Sequence, residues 1–128
     1  MSGSGKFATC LNCMDGRVQE PAIKYIKDKY KVDYVDMITE AGMDRVLSEN
    51  SSLDNNLSHK IDISLNLHGS KLIFVVGHYD CGGHPVDDET HKSDIRKSVE
   101  NLKKLYFEKG INIYGLWIDS EWNVVNII

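Results

Sequence analysis

The chain has 128 residues, 41% hydrophobic and 27% charged, with a formal net charge of −4. That balance predicts one domain over residues 1–128 with a buried core, and it excludes a disordered chain. Lysine and arginine form no basic stripe and no apolar run approaches the ~18 residues that span a bilayer, so neither nucleic acid nor a membrane is an expected partner.

Three cysteines are too few for a disulfide framework, which points to a cytoplasmic chain with thiols free for metal. The start, MSGSGK, lacks the apolar core of a signal peptide, and residues 1–5 read as a flexible tail. Residues 6–12 (KFATCLN) fit a strand. Pro21 then opens a helical stretch in which Ala22, Ile26 and Tyr30 recur at a spacing of four. Residues 34–39 (YVDMIT) read as a second strand, and residues 43–50 as a short helix.

Residues 54–68 pull two ways. Ile61, Ile63, Leu65 and Leu67 alternate as in a strand, whereas Leu57, Ile61, Leu65 and His68 are spaced by three and four as in a helix. Asp54 as a cap, Gly69 as a stop and the length of the segment favour helix. Residues 71–77 (KLIFVVG) form a continuous apolar run, the mark of a strand buried on both faces of a parallel sheet. A helical stripe follows through Ile95, Val99, Leu102 and Tyr106. Residues 112–118 and 122–127 give a closing pair of strands around a turn at residues 119–121. The expected fold is α/β, with a mainly parallel central sheet, flanking helices and an antiparallel edge strand.

Chemistry-bearing residues gather after the first and third strands. Cys13 follows one; His78 and Cys81 follow the other. In sheets of this type ligands sit at the carboxyl ends of strands, so the three can share one rim if those strands are neighbours. Two thiolates and an imidazole suit zinc with an open fourth position. Gly77, Gly82 and Gly83 are expected to let the backbone bend tightly there. Cys10 and Cys13 spell C-x-x-C, which would permit a closed four-ligand site or a redox pair. Residues i and i+3 of a strand point to opposite faces, however, so Cys10 reads as a core residue. In an extended segment Cys13, Asp15 and Arg17 would point the same way, and the guanidinium fork of Arg17 could hold Asp15 ionised near the metal. His84 is either a solvated loop histidine or a proton shuttle. Asp87, Asp88, Glu89 and His91 read as a charged, solvated loop rather than a second metal site.

Cys13-Met-Asp15-Gly-Arg17 together with Gly77-His78-Tyr-Asp-Cys81-Gly82-Gly83 resembles the β-class carbonic anhydrases. The family often has serine where Gly16 stands, and often Arg-Asn before Ala-Gly where this chain has Thr39 and Glu40. The resemblance implies that Cys13, His78 and Cys81 bind zinc. It implies that Asp15 and Arg17 form the dyad orienting zinc-bound water, with Asp15 able to become a fourth ligand in a closed form. It implies reversible hydration of carbon dioxide to bicarbonate by a homodimer or higher homo-oligomer. Amides of Gly82 and Gly83 would stabilise developing negative charge. Because two thiolates cancel the metal's charge, activity should climb toward alkaline pH. The alternatives are a carbonyl sulfide or carbon disulfide hydrolase on the same site, and a non-catalytic zinc-binding protein.

Overall fold

A computed structural model describes residues 5–50, 52–107 and 110–128, so the tail expected at residues 1–5 lies, Gly5 apart, outside the described residues. Strand β1 is Phe7–Asn12, helix α1 Gln19–Tyr30, β2 Tyr34–Thr39 and α2 Met43–Glu49. Helix α3 covers Asn55–Asp62, β3 Leu72–His78, α4 Asp88–Tyr106, β4 Asn112–Ile118 and β5 Val124–Asn126. The sheet order is β2-β1-β3-β4-β5. The first four strands run parallel, and β5 returns antiparallel against β4. The expected α/β architecture is therefore the observed one.

Alternation along the central strands divides the core. Leu11, Ile73 and Val75 face α2, α3 and α4, where they meet Leu47, Ile61, Ile95, Val99 and Leu102. Cys10, Phe74 and Val76 face the other way, toward Ala22 and Ile26 of α1. Every residue of β3 after Leu72 is buried, which is why its sequence carries no polar alternation. Helix α4 lies close on the sheet at Ile95. A methyl group added to Gly77 would stand 2.7 Å from Ile95 Cδ1, and one added to Gly115 2.5 Å from Ile95 Cγ2.

Two local outcomes differ from the sequence expectations. Helix α1 starts at Gln19, before Pro21, which sits in the first turn where its missing N–H is not required. Residues 54–68 are helical, but not one helix. Asp54 caps α3 by accepting from Leu57 N–H, and Ile63–Leu67 then form a π turn. The wide turn carries the buried Ser64 inward. Its hydroxyl lies 2.6 Å from Thr9 Oγ1 on β1 and donates to Asp36 on β2. His68 is bound to the same Asp36 carboxylate at 2.7 Å and stacks on Phe7.

Candidate metal centre

β1 leads to β2 on one side and is flanked by β3 on the other, so the chain reverses direction across the sheet between β1 and β3. The carboxyl ends of those two strands end at Asn12 and His78. The neighbourhood required for Cys13 to meet His78 and Cys81 is thus supplied by strand order. One donor atom from each of the three lies within 4.8 Å of the others, and all three residues are buried.

The loop after β1 is held by its own polar groups. Asn12 Oδ1 accepts from Cys13 N–H at 2.8 Å, and Asn12 Nδ2 donates to the Val18 carbonyl. Gln19 Nε2 donates to the carbonyls of Cys13 and Asp15. The two sulfurs stand 3.9 Å apart, and Gly42 N–H points at Cys13 Sγ from 3.5 Å. His78 Nδ1 lies 2.8 Å from the Tyr79 carbonyl, which makes it the protonated nitrogen. Nε2 is left buried without a hydrogen-bond partner.

The thiols differ in acidity. Burial pushes Cys13 up, but the neighbouring His78 imidazole and the backbone amides of Gly42 and Asp15 outweigh it and bring the thiol down to about 7. Burial, then the charge of Cys13, pushes Cys81 up to about 11 against opposing hydrogen bonds from the Gly83 and His84 amides. Cys10 lies fully buried on β1, and burial alone raises it to about 12. We expect Cys10→Ala to leave metal content at the wild-type level, read by elemental analysis after dialysis; loss of metal would restore the four-ligand reading.

Asp15 and Arg17 do not meet through an extended segment. Gly16–Val18 is a 3₁₀ turn, and Asp15 caps it by accepting Arg17 N–H at 2.9 Å. That turn folds the guanidinium back onto the carboxylate: Nε lies 3.1 Å from Oδ1 and Nη2 2.7 Å from Oδ2. Hydrogen bonds from Arg17, opposed by burial and aided by its charge, hold Asp15 at about 2. Arg17 in turn is fixed from two other elements. Its Nη2 donates to the Asp80 carbonyl and its Nη1 to the Asp80 carboxylate, while Trp122 lies 4.8 Å under its plane.

Asp80, in the left-handed region at φ 58°, is the residue that turns the chain between His78 and Cys81. The bend expected of Gly77, Gly82 and Gly83 is therefore made elsewhere, since none of the three has a positive φ. Gly83 serves close approach instead: a methyl there would stand 2.6 Å from Ala41 carbon and Gly42 nitrogen. Gly82 faces open space. The role of Asp80 was unread in the sequence, although its place inside His-x-x-Cys was a hint. His84 and His91 are not solvated. His84 Nε2 is 2.6 Å from Asp94 Oδ2, and both histidines are buried.

A family profile described as "Putative carbonic anhydrase" matches residues 3–128. No curated protein sequence matches the chain. Among solved structures, β-carbonic anhydrase isoform I from the protozoan Trichomonas vaginalis is 21% identical at TM-score 0.65, covering 94% of this chain and 81% of that one. The tetrameric β-carbonic anhydrases from the ascomycete Sordaria macrospora are represented at 13% identity and TM-score 0.67, covering 98% and 82%. A carbon disulfide hydrolase in its apo form matches at 15% identity and TM-score 0.57, covering 97% and 79%. At these identities the likeness speaks for the fold; joined to a profile spanning residues 3–128, it places the chain in the β-carbonic anhydrase family.

Proposed function

We propose that this chain is a zinc enzyme that interconverts carbon dioxide and bicarbonate. The observation that carries the reading is the orphaned Nε2 of His78 beside two thiol sulfurs, at the rim where Arg17 clamps Asp15. The donor set fits zinc. Two thiolates ~2.3 Å from a tetrahedral zinc stand ~3.8 Å apart, and the sulfurs here are 3.9 Å apart. Cys13, His78 and Cys81 would hold the ion.

Bound zinc supplies the Lewis acidity that makes water a nucleophile near neutral pH. The protein's part is orientation. Asp15, ionised and engaged on both oxygens by Arg17, keeps acceptor capacity for one hydrogen bond from the attacking water. Accepting that bond turns a lone pair of the water toward the substrate carbon. Gly83 N–H is directed at the Cys81 sulfur, so of the Gly82–Gly83 pair the Gly82 amide is the better donor toward charge developing on the product. The reaction consumes one water per carbon dioxide and leaves one proton for buffer.

Stopped-flow hydration assays across pH, on protein verified to carry zinc, test the assignment; a zinc-loaded chain no faster than buffer would end it. Carbonyl sulfide and carbon disulfide in the same panel distinguish the related hydrolase. Met14 and Tyr79, 64% and 43% exposed on either side of the site, support a homo-oligomer in which a second subunit covers them. Sedimentation giving a monomer at working concentration would oppose it.

Metal affinity should depend on pH with a defined sign. The metal takes thiolates, so protons compete with it. Up to about 11 Cys81 must still lose a proton, so affinity should rise with pH by at least about tenfold per unit across that range. Toward and below about 7 Cys13, and His78, whose pKa burial lowers but its neighbours Cys13 and Tyr79 raise on balance, must be deprotonated as well, and the slope should steepen. Competition with a chromophoric chelator measures this; a flat profile would contradict the thiolate ligands. No helix of the described residues is long and apolar enough to cross a membrane, and we place the chain in the cytoplasm, where its three thiols stay reduced.

A further inference from the structure

Among the described residues, three other than glycine adopt the left-handed region: Lys31, Asp80 and Trp122. Lys31 closes α1. The other two both bear on the guanidinium of Arg17, from different loops. Backbone strain of this kind persists only where the surroundings impose it, and it gathers at functional sites.

The turn between β4 and β5 imposes it on Trp122, at φ 63°. Asp119 Oδ1 accepts from the amides of Glu121 and Asn123, each at 3.0 Å. The Asp119 carbonyl accepts Trp122 N–H at 2.9 Å, and Asp119 N–H donates to the Asn123 carbonyl. The turn itself does not call for an indole, since glycine adopts this conformation at no steric cost.

We propose that Trp122 is a positioning residue for the reaction, acting through Arg17, with Asp119 holding the turn that presents it. The inference rests on the zinc-enzyme reading of the site. The N–H bonds of a guanidinium lie in its plane. Nε and Nη2 are spent on Asp15, and Nη1 and Nη2 on Asp80. Those partners set where the fork points within its plane and do little against tipping out of it. The Arg17 side chain is 47% exposed, and an ion pair this open to water holds its geometry poorly by itself. The indole covers one face of the fork, with Arg17 Cζ 4.8 Å from the ring centroid, and sheds water from that side. With the fork held, both Asp15 oxygens stay engaged, and the carboxylate keeps the orientation that the attacking water requires.

The test needs variants that separate the ring from the turn. Trp122→Gly keeps the turn and removes the ring, whereas Trp122→Phe keeps an aromatic face. By NMR on the full-length chain, the Arg17 Nε–H proton should exchange with water about 3–30-fold faster in Trp122→Gly than in wild type, the loss expected of one cation–π contact. Trp122→Phe should stay near the wild-type rate. Carbon dioxide hydration by zinc-loaded Trp122→Gly should fall by a similar factor in kcat/KM, with zinc content unchanged by elemental analysis. In an Arg17→Ala background the same replacement should cost nothing more, because the residue it acts through is gone. Trp122 also packs against the α1 side of the core. A purely structural role there would leave the Arg17 exchange rate unmoved and would cost as much in the Arg17→Ala background as in wild type. Either of those results overturns the proposal. If Trp122→Gly fails to fold by circular dichroism, Trp122→Leu, which keeps apolar bulk, reads the same loss. An Arg17 proton that needs an aromatic ring at position 122, in a zinc-loaded chain that hydrates no carbon dioxide, would uphold the clamp and sink the enzyme assignment.

Discussion

Arg17→Ala should reduce carbon dioxide hydration by about 10²–10⁴-fold, the range spanned by a misplaced proton-accepting group, while zinc content stays at the wild-type level. Arg17 contributes no metal ligand, so the ion has no reason to leave. What goes is the fork on both oxygens of Asp15 and the bonds by which Asp80 and the ring of Trp122 hold the guanidinium in place. Released, Asp15 can swing toward the metal and occupy the position that water needs. Lysine at 17 should recover little, since an ammonium cannot grip a carboxylate along two parallel bonds. Stopped-flow rates paired with elemental analysis of the same samples decide the matter. Full turnover in Arg17→Ala would refute the orienting role, and loss of zinc would show that Arg17 supports the metal instead.

Gly83→Ala should destabilise the site strongly. The added carbon would press on Ala41 carbon and Gly42 nitrogen at 2.6 Å, and both are backbone atoms with no rotamer to change. Overpacking of this kind costs about 1–3 kcal/mol. The strain also has a direction. It pushes the loop after β2 away from the loop after Cys81, and so withdraws the Gly42 amide from Cys13 Sγ. We expect a lowered melting temperature together with weaker metal retention under chelator. Gly82→Ala serves as control, because its methyl would enter open space. Equal behaviour of the two variants would show that the close approach does not matter.

The sheet was readable because its strands differ in kind. β3 is apolar throughout since both its faces are covered, and the residues that follow β1 and β3 stand out by their chemistry. The spacing of His78 and Cys81 and the position of Cys13 were enough to bring the three together once β1 and β3 were neighbours. Two features resisted. The alternation of Cys13, Asp15 and Arg17 suits an extended segment, yet Asp15 caps a turn, and the turn aims the guanidinium. His84 and His91 looked solvated because their sequence neighbours are charged. Asp44, which holds His91, lies 47 positions earlier, and only the packing of α2 against α4 brings it near. The π turn was hidden for the same reason, since its cause is a hydroxyl on β1 reached across 55 residues.

Ile95 rests where Gly77 and Gly115 leave neighbouring strands bare. A helix seated in such a notch cannot slide along the sheet without its side chain climbing over the residues on either side. The first turns of α4 are thereby indexed to the last residues of β3, like a key in its slot. Amide protons there should exchange with deuterium among the slowest in the chain, whether or not any ion is present.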